Sequence, residues 1–284
     1  MKLTVSTYSF SQALRDGRVK SLLELPAKAA EMGFEGVEIV STPEEMFEQA
    51  KAIRKAAGDA GVAISSACVG ADFLSTGVAA QVDQLRKAVD ACAIMGAPVL
   101  RHDATRGVPP EFPAPRSFAS VLPRLAEGYR AVTEYAAGLG VHTSVENHGY
   151  FCQDSDRVEA LINAVGHPNF GALIDIGNFL CVDEDPVHAV SRLAALAVHA
   201  HAKDFLVKKG GRRPGEGWFS TRGGNWLRGT IIGHGQAPVQ QCLSVLKRAG
   251  YDGWLSLEFE GIEDCMLGIR DGKQNLDAML AELA

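Results

Sequence analysis

The stretch VHTSVENHGYFCQDSDRVEALINAVGHPNFGALID (residues 141–175) decides the fold. It opens on an apolar run that ends in an acid, VHTSVE. An amphipathic segment follows that predicts a helix over 154–165, and a second apolar run, GALID, again ends in an acid. Strand, helix, strand in about 30 residues is the unit of a parallel β/α array. The two acids, Glu146 and Asp175, are 29 residues apart. Outward from them, LAVHAHA (196–202) places His201 26 residues further on, and GWLSLEF (253–259) places Glu258 another 57 residues on, about one repeat plus an insertion. Successive strands of such an array end on one rim, so the spacing predicts that these four side chains converge.

Towards the N-terminus the same alternation continues. LTVSTY, GVEIV (36–40), VAISSA (62–67) and PVLRHD (98–103) read as strands one to four, with helices near 20–32, 43–57, 78–95 and 117–139 between them. Gly33 and Gly96 stand where a helix ends in the left-handed conformation. Beyond residue 175 come a short helix over 186–195, the helix PVQQCLSVLKRAG and a terminal helix. Eight short, mostly apolar strands alternating with helices predict an α/β fold, a (β/α)8 TIM barrel filling residues 1–284 as a single domain. An open doubly wound sheet would usually carry a Gly-rich turn after its first strand, and TYSFSQ has none. Only residues 205–236, between strand seven and the helix behind it, break the repeat; rich in Gly and Arg, they predict an irregular rim segment that covers the mouth and touches substrate.

Bulk composition narrows the partners. The chain is 46% apolar and 22% charged with net charge −6, and no Lys/Arg block stands out, which argues against nucleic acid and anionic membranes. No run of about 18 apolar residues exists to span a bilayer, and MKLTVSTYSF reads as a strand rather than a leader. The six cysteines lack CxxC spacing, which suits reduced thiols in a cytoplasmic protein. The expected partner is a small-molecule sugar or sugar derivative.

Strand parity sharpens the convergence. His142, Ser144 and Glu146 share one face of their strand, His199 and His201 one face of theirs, and Ser256, Glu258 and Glu260 one face of the last. Val141, Val145, Leu255, Leu257 and Phe259 take the other parity and should face the helices, which turns Glu146, His201 and Glu258 into the barrel mouth. Asp175 rests on position alone, because LID offers no alternation. Carboxylates crowded without a cation would destabilise one another. Three carboxylates and an imidazole suit a divalent metal ion, Mn2+ first, with Mg2+, Co2+ or Zn2+ also compatible.

The pieces GFEGVEIV, SVENHG, LIDIGN, HAKDF, GHGQAPV and GYDGWLSLEFEG together resemble the sugar phosphate isomerase/epimerase superfamily, the xylose-isomerase-like TIM barrels, over essentially the whole chain. The resemblance implies that Glu146, Asp175, His201 and Glu258 bind the metal. It also implies that Glu146 and Glu258 are the acid/base pair moving protons on opposite faces of a cis-enediolate. Metal-dependent sugar isomerase or epimerase chemistry, by proton abstraction next to a carbonyl, is therefore the leading expectation. ENHG and the segment GWFSTRGGNWLRGTIIGHG (217–235) further resemble the branch of C-glycoside deglycosidase catalytic subunits. That implies the alternative: a carbon–oxygen or carbon–carbon lyase on 3-keto sugars or 3-keto C-glycosides, with His148 as the base. A homo-oligomer is expected, or a hetero-oligomer with a small subunit on the lyase reading.

Around the quartet stand further candidates. His148, two residues past Glu146, is a general base in reach of substrate or a loop histidine bonded to a carboxylate. Asn178 either binds a substrate hydroxyl or caps the next helix. Lys203 and His234 are candidate substrate contacts, and His199 reads as a packed barrel residue. Glu38, Arg101 and His102 end strands two and four, facing substrate or paired on the rim. Trp218, Trp226 and Arg228 are candidates to line a pocket for a sugar ring or an aromatic group. A nuclease barrel of this fold would need more metal ligands and a basic groove, which an acidic chain does not offer.

Overall fold

The computed structural model describes residues 1–283. Its barrel strands are β1 (Lys2–Ser6), β2 (Gly36–Val40), β3 (Ala63–Val69), β4 (Val99–His102), β5 (His142–Glu146), β6 (Phe170–Asp175) and β7 (Ala197–Ala202). Three short strands follow, β8 (Asp204–Lys208), β9 (Phe219–Ser220) and β10 (Trp226–Thr230), before the last barrel strand, β11 (Trp254–Leu257). All barrel pairings are parallel, and the order β1-β11-β7-β6-β5-β4-β3-β2 closes. The protein is a single-domain α/β TIM barrel, as the spacing predicts.

The helices are α1 (Ser11–Arg15), α2 (Leu25–Glu31), α3 (Pro43–Ala60), α4 (Val78–Met95), α5 (Phe118–Ala137), α6 (Ser155–Val165), α7 (Pro186–Leu193), α8 (Val239–Arg248) and α9 (Cys265–Leu283). Their limits follow local chemistry. α3 begins with Pro43 in its first turn and with the Thr42 hydroxyl accepting from the Glu45 N–H at 3.3 Å. α4 stops at Gly96, whose φ of 81° suits glycine. Among the described residues no helix is long and apolar enough to cross a membrane.

Parity runs as the alternation requires. Val145, Leu255, Leu257 and Phe259 belong to the apolar layer between barrel and helices. Thr4, Ser66, Ser144 and Ser256 are fully buried, and with Glu38, His199 and His201 they make an unusually polar interior.

Residues 205–236 correct the expectation of an irregular segment. β8, β10 and β9 form a three-stranded antiparallel sheet. Phe205 and Leu227 bury themselves with Cys181 beneath it. Its hairpin is tied to the loops behind β5 and β6. Arg222 donates to the Tyr150 carbonyl and, at 2.5 Å, to Asp154, while Asp183 accepts from Gly223 N–H and Asn225 Nδ2, both at 2.6 Å. Gly229 passes so close to the Glu260 backbone that a Cβ there has no room.

Candidate metal centre

Each member of the quartet stands at or just beyond the C-terminal end of its strand. Glu146 ends β5, Asp175 ends β6, His201 is the penultimate residue of β7, and Glu258 follows β11 directly. Register aligns Asp175 with His201 and His201 with Ser256. One donor atom from each of the four lies within 4.8 Å of the others. His201 presents Nδ1 to this cluster, 3.2 Å from Glu258 Oε2, 3.8 Å from Asp175 Oδ2 and 3.9 Å from Glu146 Oε1.

Each member has a second partner behind it. Arg101 Nε lies 2.6 Å from Glu146 Oε2, and Asn178 Nδ2 donates to Glu146 Oε1 at 2.9 Å. Asp175 Oδ1 accepts from the Asn178 N–H at 2.9 Å, and its Oδ2 lies 3.1 Å from Lys203 Nζ. Lys203 also reaches Glu258 Oε2 at 2.9 Å and Glu260 Oε1 at 3.3 Å. His201 Nε2 donates to Glu38 Oε2 at 2.8 Å.

The charges explain the proton affinities. Burial pushes the Glu146 carboxyl up despite the opposing charge of Arg101. At Glu258 burial acts the same way, but Lys203 and His201 outweigh it and hold the carboxyl low. Burial opposes the charged forms of His201 and Lys203, yet Glu38 holds the imidazole, and Asp175 and Glu258 the ammonium, well above their ordinary ranges. Among the described residues, the five carboxylates Glu38, Glu146, Asp175, Glu258 and Glu260 thus face Arg101, Lys203 and the His201 imidazole. This surplus of negative charge, with three carboxylates and an imidazole converging, fits a divalent cation of hard to intermediate character.

A cavity of about 300 Å3 opens above the centre, lined by Tyr8, Arg101, Glu146, His148, His201, Lys203, Glu258 and Glu260 among others. His148 stands at its edge with its side chain 46% exposed, and its Nδ1 meets Asp103 Oδ1 at 2.8 Å. Burial disfavours the imidazolium there, but the Asp103 hydrogen bond outweighs it and raises the affinity of His148 for a proton. Arg101 Nη2, 2.9 Å from the same Asp103 oxygen, joins His148 to Glu146 through one ionic chain.

Other sequence candidates fall elsewhere. Asn178 is buried behind Glu146 and braces it, its amide shared between Glu146 and Lys203. His102 is fully buried, stacked on Tyr129 with ring centroids 4.2 Å apart. His234 sits on an exposed turn whose neighbours Gly233 and Gly235 donate to Asp204. Trp226 bonds Gly211 O, and Arg228 lies over Trp218 and pairs with Glu263. None of His234, Trp226 and Arg228 lines the cavity over the quartet. The rim sheet reaches instead an adjoining cavity through Gly217, Phe219 and Gly229, which shares Tyr8 and Glu260 with the first. Tyr8, Asp103 and Glu260 join the candidates at the cavity or its edge, and the sequence does not single them out. Glu260 had a signal in its parity with Glu258, whereas Tyr8 and Asp103 lie beyond strand ends.

Comparison with known proteins agrees with this architecture. A family model described as xylose isomerase-like TIM barrel matches residues 26–281. An inosose dehydratase from Lacticaseibacillus casei is 23% identical over 138 residues, 48% of this chain and 46% of the relative. The match therefore spans about half the length of that curated relative. The solved 3-keto-D-glucoside 4-epimerase from E. coli superposes with a TM-score of 0.74 at 17% identity, over 98% of this chain and 99% of that one. A xylose isomerase-like TIM barrel protein from Mycobacterium smegmatis, solved in complex with magnesium, gives 0.71 at 16% identity over 100% and 98%. At such identities the structural likeness speaks for the fold.

Proposed function

The chain belongs to the xylose isomerase-like TIM barrel family, and on that footing we propose that it is a divalent-metal-dependent enzyme that takes a proton from the carbon beside the carbonyl of a 3-keto sugar derivative and expels a β-substituent. Glu146, Asp175, His201 and Glu258 would hold the cation. Bound there, it would polarise a ketone oxygen and so lower the cost of removing the neighbouring proton.

One observation carries the choice of elimination. His148 Nδ1 is committed to Asp103 at 2.8 Å while its ring lines the cavity, which leaves Nε2 free to accept a proton. The two carboxylates of the quartet that reach the cavity are less free. Both oxygens of Glu146 are occupied by Arg101 and Asn178, and Oε2 of Glu258 is occupied by Lys203 and His201. Tyr8, Lys203 and Glu260, which line the same cavity, would offer proton donors for the departing group. The second reading, isomerisation or epimerisation of a free ketose, is favoured by Glu146 and Glu258 lining the same cavity, where they would exchange a proton across a planar intermediate.

Two substrate panels assayed with Mn2+ separate these readings: free ketoses, and 3-keto glycosides with aromatic aglycones. Release of aglycone by the wild type, lost in His148→Ala with metal content intact, supports elimination. Turnover confined to ketoses rejects it in favour of the second reading. Activity indifferent to chelation and to Glu146→Gln would sink both.

A further inference from the structure

Glu38 is a carboxylate outside the quartet that touches one of its members directly. It projects inward from β2, fully buried, to a histidine 163 residues away on β7. Its Oε2 accepts from Ser66 Oγ at 2.7 Å and His201 Nε2 at 2.8 Å, and His199 Nε2, bonded to Ser66 Oγ at 3.2 Å, lies 3.1 Å from it. We infer that Glu38 is a positioning residue, which fixes the His201 ring so that Nδ1, not Nε2, is the nitrogen offered to a divalent cation.

An imidazole has two nitrogens, and when one bears its proton towards a carboxylate the other is left with its lone pair. Here Nε2 meets Glu38, and Nδ1 faces Glu258, Asp175 and Glu146 at 3.2, 3.8 and 3.9 Å. Turning the ring over would put carbon against Glu38 and break a charge-assisted hydrogen bond in a dry interior, where an unpaired carboxylate is costly. Ser66 and His199 hold Glu38 rather than the ring, so they act one step further out. Cys68 also lies in reach of Glu38 and His201. A second cation there would have three donors at most and would take the place of the Glu38–His201 hydrogen bond, so the arrangement serves His201 instead.

This inference rests on the metal reading above, and its test separates the two. Mn2+ affinity is measured by calorimetry for wild type, Glu38→Gln and His199→Gln, with circular dichroism as the check on folding. The expected result is a roughly 10- to 100-fold loss of affinity in Glu38→Gln, and a smaller loss in His199→Gln, which keeps the Glu38–His201 bond. Long-range proton–nitrogen NMR of the Zn2+-loaded wild type should show His201 ligating through Nδ1 with Nε2 protonated. That spectrum decides even where Glu38→Gln does not fold. Ligation through Nε2, or an affinity in folded Glu38→Gln within twofold of wild type, overturns the role of Glu38 and leaves the metal reading standing. A wild type that binds neither Mn2+ nor Zn2+ overturns both.

Discussion

β5, β6, β7 and β11 each deliver one residue of the quartet, whereas β1 to β4 deliver none. β2 and β4 instead send Glu38 to His201 and Arg101 to Glu146, at 2.8 and 2.6 Å. One half of the barrel presents donors to the mouth, and the other half sends partners across it that orient and neutralise them. The difference teaches that converging donors are only part of what the proposed metal centre needs. Burying carboxylates this close together requires partners for their second oxygens, and the closed barrel supplies those from the facing strands.

The largest effect is expected in the donor half. Asp175→Asn removes a donor whose other oxygen is already committed to Asn178. We expect divalent affinity and turnover to fall by more than about 100-fold, beyond the effect of losing a group outside the ligand set. Calorimetry with Mn2+ measures the first, and a loss under tenfold would mean that Asp175 is not a ligand. In the holding half, Arg101→Met strands Glu146 and Asp103 beside a neutral side chain. Removing one partner of a buried pair costs about 3–5 kcal/mol, readable as a lower urea midpoint with the metal removed. A stability within 1 kcal/mol of wild type would reduce Arg101 to a rim pair.

Asp103 tests whether holding extends to the proposed base. It accepts from His148 and raises the proton affinity of that imidazole against burial. In Asp103→Asn the folded pKa of His148 should therefore drop. A base that must be neutral to act is then available at lower pH, so the acid limb of the kcat/KM profile moves down while kcat falls roughly 10- to 100-fold. Loss of kcat without movement of that limb would make Asp103 structural only.

How much of this was legible follows from where each signal resides. The barrel was readable because strands covered on both faces are apolar runs at a steady spacing, and Glu146, His201 and Glu258 were readable from parity within single strands. The holding half was not. Glu38 sits in the middle of GVEIV, and nothing near it marks a partner 163 residues away. Asn178 was legible as a polar residue beside Asp175, but not its direction, which its fold turns back onto Glu146. The sheet of β8, β9 and β10 escaped notice because β8 starts one residue after β7 and a Gly-rich stretch hides its return strand.

The smallest expected effect lies at that sheet, outside both halves. Arg222 joins the hairpin to Asp154 and to the carbonyl of Tyr150, a non-glycine residue with φ of 63°. Left-handed backbone at such a residue costs about 1–2 kcal/mol and persists only where surrounding contacts impose it. His148 lies two residues earlier in that loop and bonds across it to Cys152 as an isolated antiparallel bridge. Arg222→Ala should therefore cost about 1 kcal/mol or less in stability, as a half-exposed ion pair does. It should also speed hydrogen exchange in residues 148–152 and 219–226. Turnover should fall a few-fold because the loop no longer presents His148 in one place. Mn2+ affinity should stay unchanged, since no quartet member touches the hairpin. A parallel fall in affinity would show that the rim and the barrel centre are one cooperative unit, and the division between donors, holders and rim would not stand.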